Sequence, residues 1–174
     1  MKPVRNYSKQ QGSFLLEALI GVVIFALGVL TMIALQANAI AVQSDAQYRI
    51  EASNMADQIL GQINANVARD PLSGAVAAAD LLSFEHQPVG GVTQCRSGGA
   101  DCCNFSGPLS ANAIVTAWRT AINTTAVTRL PGSTTAMQQI DVSVADSNRV
   151  TITICWQGPK DVTPRFHRIM AYVN

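Results

Sequence analysis

Charge is what this chain has least of. Only 13% of its residues are Asp, Glu, Lys or Arg, where a soluble domain usually carries about 25%. No acidic residue precedes Glu17, and no charge of either sign falls between Glu17 and Asp45. The net charge of +1 predicts no nucleic-acid partner, which would need a dense basic patch. Proline is missing between Pro3 and Pro71, so nothing in that stretch forces a helix to break. No C-x-x-C pair occurs, and His86 and His167 lie away from the cysteines, which excludes a zinc-ligand spacing. No G-x-S-x-G or cysteine-nucleophile signature accompanies the histidines, so neither enzyme activity nor a cofactor is expected. Asp101, Asp141 and Asp146 lack the dense carboxylate spacing of a calcium loop.

What the chain does have begins with its apolar stretch. Residues 18–35 are eighteen uncharged, mostly apolar positions, the length at which a helix can cross a bilayer. Lys2, Arg5 and Lys9 precede it and no basic residue follows soon after, which predicts a cytoplasmic N-terminus. The rest would then lie in an oxidising compartment. Cys95, Cys102, Cys103 and Cys155 all fall in that part and fit two disulfides. A bond between adjacent Cys102 and Cys103 would be strained. The expected pairing therefore joins Cys95 to one of these two and Cys155 to the other. A secretory signal peptide is the alternative reading of the beginning, and Ala37-Asn38-Ala39 has its small-x-small form. The apolar run is longer than a signal core, however, and continues into an amphipathic pattern.

That pattern places Ala52, Met55, Ala56, Ile59, Leu60, Ile63 and Val67 on one helical stripe, with Asp45, Arg49, Asp57, Gln58, Gln62 and Asn66 elsewhere. One helix is predicted over residues 13–68, with Asp70-Pro71 as its stop. Gly21 and Gly28 interrupt its apolar half on a shared face, where small residues allow close helix contact, though glycine is also common in membrane helices generally. Residues 69–110 read as loop-rich, with a short helix in "SGAVAAADLLSF". A second helix is expected after Ser110 as N-cap, with Ile114, Ala117, Trp118, Ala121 and Ile122 at helical spacing. Trp118 and Trp156 are read as core residues. Three strands follow: one around Ile140, Val142 and Val144, one in "RVTITICW", and one in "PRFHRIMAYV", joined as an antiparallel meander. The amphipathic half of the long helix can cover its apolar face. The fold class is α+β.

Gly12-Ser13-Phe14-Leu15-Leu16-Glu17, after a short basic leader and before a long helix and a C-terminal antiparallel sheet, resembles a type IV prepilin. The family cleaves after a glycine and carries a glutamate at mature position five, which maps onto Gly12 and Glu17. Its usual first mature residue is phenylalanine, whereas Ser13 stands here and Phe14 follows. "LLEALIGVVIFALGVL" and "AQYRIEASNMADQILGQINAN" are similar to minor pilins of the type IV pilus modification (PilV-like) group, as are the cysteines before a Trp-bearing helix, "LPG" and the late "CW". The resemblance implies a leader over residues 1–12 removed by prepilin peptidase and N-methylation of Ser13. It implies a helix over 13–68 whose membrane and assembly half is about 13–40, and a periplasmic head over 69–174. Implied partners are the major pilin, other minor pilins and the inner-membrane assembly machinery. The location would be the bacterial inner membrane and then the base or tip of a pilus, where such subunits initiate or cap assembly.

Glu17 is the residue that needs explaining. A lone carboxylate in a membrane helix costs a few kcal/mol. Cleavage after Gly12 would create an α-amino group at Ser13, one helical turn from Glu17, able to meet this carboxylate or a neighbour's. A weaker role is to complement the helix dipole. A minor pseudopilin of a type II secretion system shares these features, and loss of fibres against loss of secretion on deletion separates the two. An unprocessed, membrane-anchored periplasmic binding module is the third reading, and it predicts an intact Met1.

Overall fold

The computed structural model of the chain describes residues 11–92, 102–124 and 130–174. Helix α1 spans Gln11–Asn66, so the expected bounds each fall two residues late. Its end is set by a turn more than by Pro71. The Asp70 carboxylate accepts from Leu72 N at 2.9 Å and from Ser73 N at 2.7 Å. These amides, Ser73 first, hold the Asp70 carboxyl below its usual range. Gly74 then takes a positive φ of 71°, open to glycine at no steric cost.

The chain divides into two compact units, Met1–Ser44 and Asp45–Asn174. In the first, α1 has no cover: every described residue from 14 to 43 is exposed, apolar side chains such as Leu15, Ile24 and Leu30 included. This stretch is long and apolar enough to cross a membrane. Thr31 and Ser44 return their hydroxyls to the carbonyls of Gly28 and Ile40, which keeps polar groups satisfied inside the helix.

In the second unit the rest of α1 buries the predicted stripe. Ala52, Met55, Ala56, Ile59, Ile63 and Val67 are core residues, and Leu60 packs at their margin. They cover a three-stranded sheet of β1 (Gln138–Ser143), β2 (Arg149–Trp156) and β3 (Arg165–Tyr172), ordered β1-β2-β3 and antiparallel throughout. The face toward the helix presents Ile140, Val142, Val150, Ile152, Ile154 and Trp156. The β1–β2 turn is tight because Ser147 and Asn148 both adopt positive φ, a conformation asparagine tolerates best after glycine.

On the opposite face of β2 threonines alternate with its branched residues. That face is buried too: Thr153 and Cys155 are wholly inaccessible. The loop-rich segment forms a second layer there, with Val92, Cys102, Cys103 and Phe105 packed on Met137 and Cys155. Within that segment lies the short helix α2 (Ala78–Ser83). Helix α3 (Ala113–Thr124) buries Val115, Trp118 and Ile122; Trp118 and Ile122 are expected positions, Ile114 packs at the margin of the core, and Ala117 is exposed. Its cap is also corrected. Asn112 Oδ1, not Ser110, accepts from the second helical amide, Ile114 N, at 3.0 Å. Ser110 stands outside the helix and donates to Ser83 O at 2.7 Å, tying α2 to α3.

Candidate functional site

In the first unit Glu17 is exposed on α1, the sole charge from 14 to 44. At 100° per residue, Gly21 and Gly28 stand on its face of the helix. A Cβ added at either glycine would meet nothing within 4 Å. The face therefore offers one carboxylate and two close-approach positions, the composition that lets membrane helices pack tightly. Gly12 and Ser13 lie in the first turns of α1.

The second unit holds an ion-pair clasp that sequence reasoning missed. Arg165 Nη1 pairs with Asp45 Oδ1 at 2.7 Å, and its Nε and Nη2 grip both oxygens of Asp161 at 3.0 and 2.8 Å. Asp45 also accepts from Arg49, one turn along α1. Hydrogen bonding to Asp161, then the Coulomb field of both carboxylates, raises the Arg165 pKa further, and the guanidinium holds Asp161 below the usual carboxylate range. Asp161 in turn accepts from Gly158 N at 3.0 Å. The clasp thus fastens the β2–β3 loop to α1. The signal was present as an acid four residues before an arginine, but the third member comes from a distant element. Arg165→Ala is expected to cost about 1 kcal/mol, as part-exposed pairs do. Its clearer readout is faster amide hydrogen exchange across residues 157–164.

Of the predicted disulfides, Cys103–Cys155 is present with a Cα–Cα distance of 6.0 Å. Cys102 is disulfide-bonded as well, and Cys95 lies outside the described residues. The bridge fastens the loop layer to the end of the middle strand, β2. Trp118 Nε1 donates to Met55 O at 3.0 Å, and both Trp118 and Trp156 are core residues, as expected. Beside Trp118, an open cleft of about 260 Å³ runs between α1 and α3, lined by Gln58, Gln62, Ala117 and Ala121. It gathers no titratable group.

His86 is fully buried. Its Nδ1 accepts from Ser110 N at 3.2 Å, while Nε2 finds no partner. Burial, with a smaller push from Arg119, lowers its pKa to about 4. The folded state therefore binds this proton less readily than the unfolded chain, whose histidine titrates near 6.5. Stability from His86 is fully present above about pH 6.5 and is lost as pH falls toward 4. The expected loss at pH 4.5 is roughly 2 kcal/mol. Urea unfolding at pH 7.5 and 4.5 checks it, and His86→Asn, which keeps an acceptor near Nδ1, should lose that increment of pH dependence.

Among the described residues no hydrogen bond joins either histidine to a carboxylate, and no group of three His, Cys, Asp or Glu could hold a metal. Asp101 lies outside the described residues. Asp146 is paired with Arg149, and Asp141 lies on β1. No family model, curated protein or solved structure matches this chain.

Proposed function

We propose that the chain is a minor type IV prepilin, a membrane-stored subunit that helps initiate or cap a pilus and is not itself an enzyme. The observation that carries this reading is α1: a single helix whose stretch from 14 to 44 is mostly apolar with Glu17 as its sole charge, followed by an amphipathic half that seats a small antiparallel sheet. In this reading the N-terminus is cytoplasmic, the helix spans the bacterial inner membrane once, and the disulfide-bearing head is periplasmic. Prepilin peptidase cuts after Gly12, and the new amine at Ser13 is N-methylated. That amine lies four residues before Glu17, and so within reach of its carboxylate or that of a neighbouring subunit. At an effective dielectric of about 20 and ~4 Å, the pair gains on the order of 4 kcal/mol before desolvation. This is comparable to the cost of burying the carboxylate, so only a register that pairs the charges is stable. Gly21 and Gly28 on the same face let the apolar helices of the major pilin and other minor pilins approach, and the inner-membrane machinery drives the stacking.

The test is the intact mass of the membrane-extracted protein, with and without prepilin peptidase. Peptidase-dependent loss of residues 1–12, with or without one methyl, and its absence in Gly12→Ala, is the expected result. An uncut chain in the presence of the peptidase overturns the reading.

A further inference from the structure

The two edges of the sheet are finished differently. On β1 the edge is closed: His86 N donates to Ile140 O and Ile140 N donates to His86 O, both at 2.9 Å, and Gln139 Nε2 reaches the Gln87 carbonyl at 3.2 Å. On β3, among the described residues, no segment pairs with the outer edge. The strand runs Arg165–Tyr172 without proline, glycine or lysine, and its register with β2 is continuous, with no bulge. Proline, lysine and bulges are among the devices that blunt open edges, and the charge on this strand is arginine, at 165 and 168. On its face away from α1 it shows Phe166, Met170 and Tyr172, the last two 57% and 54% exposed. Arg168 sits between them. Its Nε donates to Thr153 Oγ1 at 3.1 Å, and it forms no ion pair among the described residues.

We infer that the outer edge of β3 docks an extended, acidic segment of another protein, which adds a fourth strand and sets a carboxylate opposite Arg168 between apolar side chains. Main-chain hydrogen bonds supply the attraction in such strand addition, and alternate side chains set the register. Exposed aromatic, methionine and arginine side chains are what protein interfaces favour. Charge disfavours a second copy of this chain as the occupant. An antiparallel β3–β3 pair centred on Arg168 puts two guanidiniums directly opposite. Centring it on Ile169 leaves them diagonal, about 7–8 Å apart. Shifting the centre to Met170 separates them but overlaps only residues 168–172. An acidic strand can use the whole edge, and nothing in this edge depends on how the first unit is used.

The test uses the full chain in detergent and two synthetic strand-length peptides that alternate valine with threonine, carrying either glutamate or lysine at the centre of the valine face. The glutamate peptide is expected to slow amide exchange at alternate residues of β3 by about tenfold and to bind about fivefold more tightly than the lysine peptide. R168E should reverse that preference. Failure of both peptides to slow exchange overturns the inference, as does equal binding that R168E leaves unchanged. Edge amides already protected in the free chain would mean that the chain covers its own edge. Protection that grows with protein concentration would assign the edge to a second copy. Either result overturns an acidic partner.

Discussion

Replacing Cys103 and Cys155 together by alanine is expected to destabilise the second unit by about 4 kcal/mol, the loop-closure entropy of a bridge spanning a sequence separation of 52. The double variant is the informative one. Replacing Cys155 alone would leave a thiol at Cys103 beside the disulfide-bonded Cys102, free to exchange with it. The loss should exceed that of an ordinary surface bridge for a packing reason. Cys155 is the last residue on the buried outer face of β2, and Cys103 belongs to the loop layer whose Val92 and Phe105 pack with it there. Releasing the loop exposes the apolar area of that cluster. For a unit of this size the midpoint of thermal unfolding should fall by roughly 10–20 °C. Circular dichroism melts of the full chain in detergent, with and without the substitutions, measure it. A change below about 1 kcal/mol would mean that the loop layer holds to the sheet without the bridge.

The second large effect concerns Glu17 and rests on the pilin reading. Glu17→Ala is expected to leave membrane insertion intact, because removing a charge lowers the cost of entering the bilayer. Incorporation into sheared pili should fall by about tenfold or more, since the processed amine at Ser13 would then be buried without its partner. Glu17→Gln separates charge from shape: it should fail almost as badly, because a neutral amide cannot compensate an ammonium in hydrocarbon. Immunoblots of membrane and sheared-fibre fractions read both quantities. Unchanged incorporation of either variant would reduce Glu17 to a charge that complements a helix terminus.

The long helix, its division into an apolar and an amphipathic half, and the three strands with their antiparallel order were all legible in the sequence. Each is written in a local period, 3.6 for the stripe from Ala52 to Val67 and 2 for "RVTITICW", and local periods are what backbone geometry reads. The isolation of Glu17 was legible for the same reason, since a lone charge in an apolar run needs no neighbours to be noticed. Tertiary structure alone decided the rest. The outer face of β2 is buried as well as the inner one, and an irregular loop with no period of its own packs on it at Cys155. The choice of Cys103 over Cys102 as the partner of Cys155 turns on a single residue of register in that loop. Asp45, Asp161 and Arg165 become one clasp only because β3 returns beside α1, and the contrast between a closed β1 edge and an open β3 edge exists only once His86 has found Ile140. Short-range pattern determines the elements. Which faces are covered and which charges meet depends on contacts between residues far apart in the chain, and these have no signature in any one stretch of it.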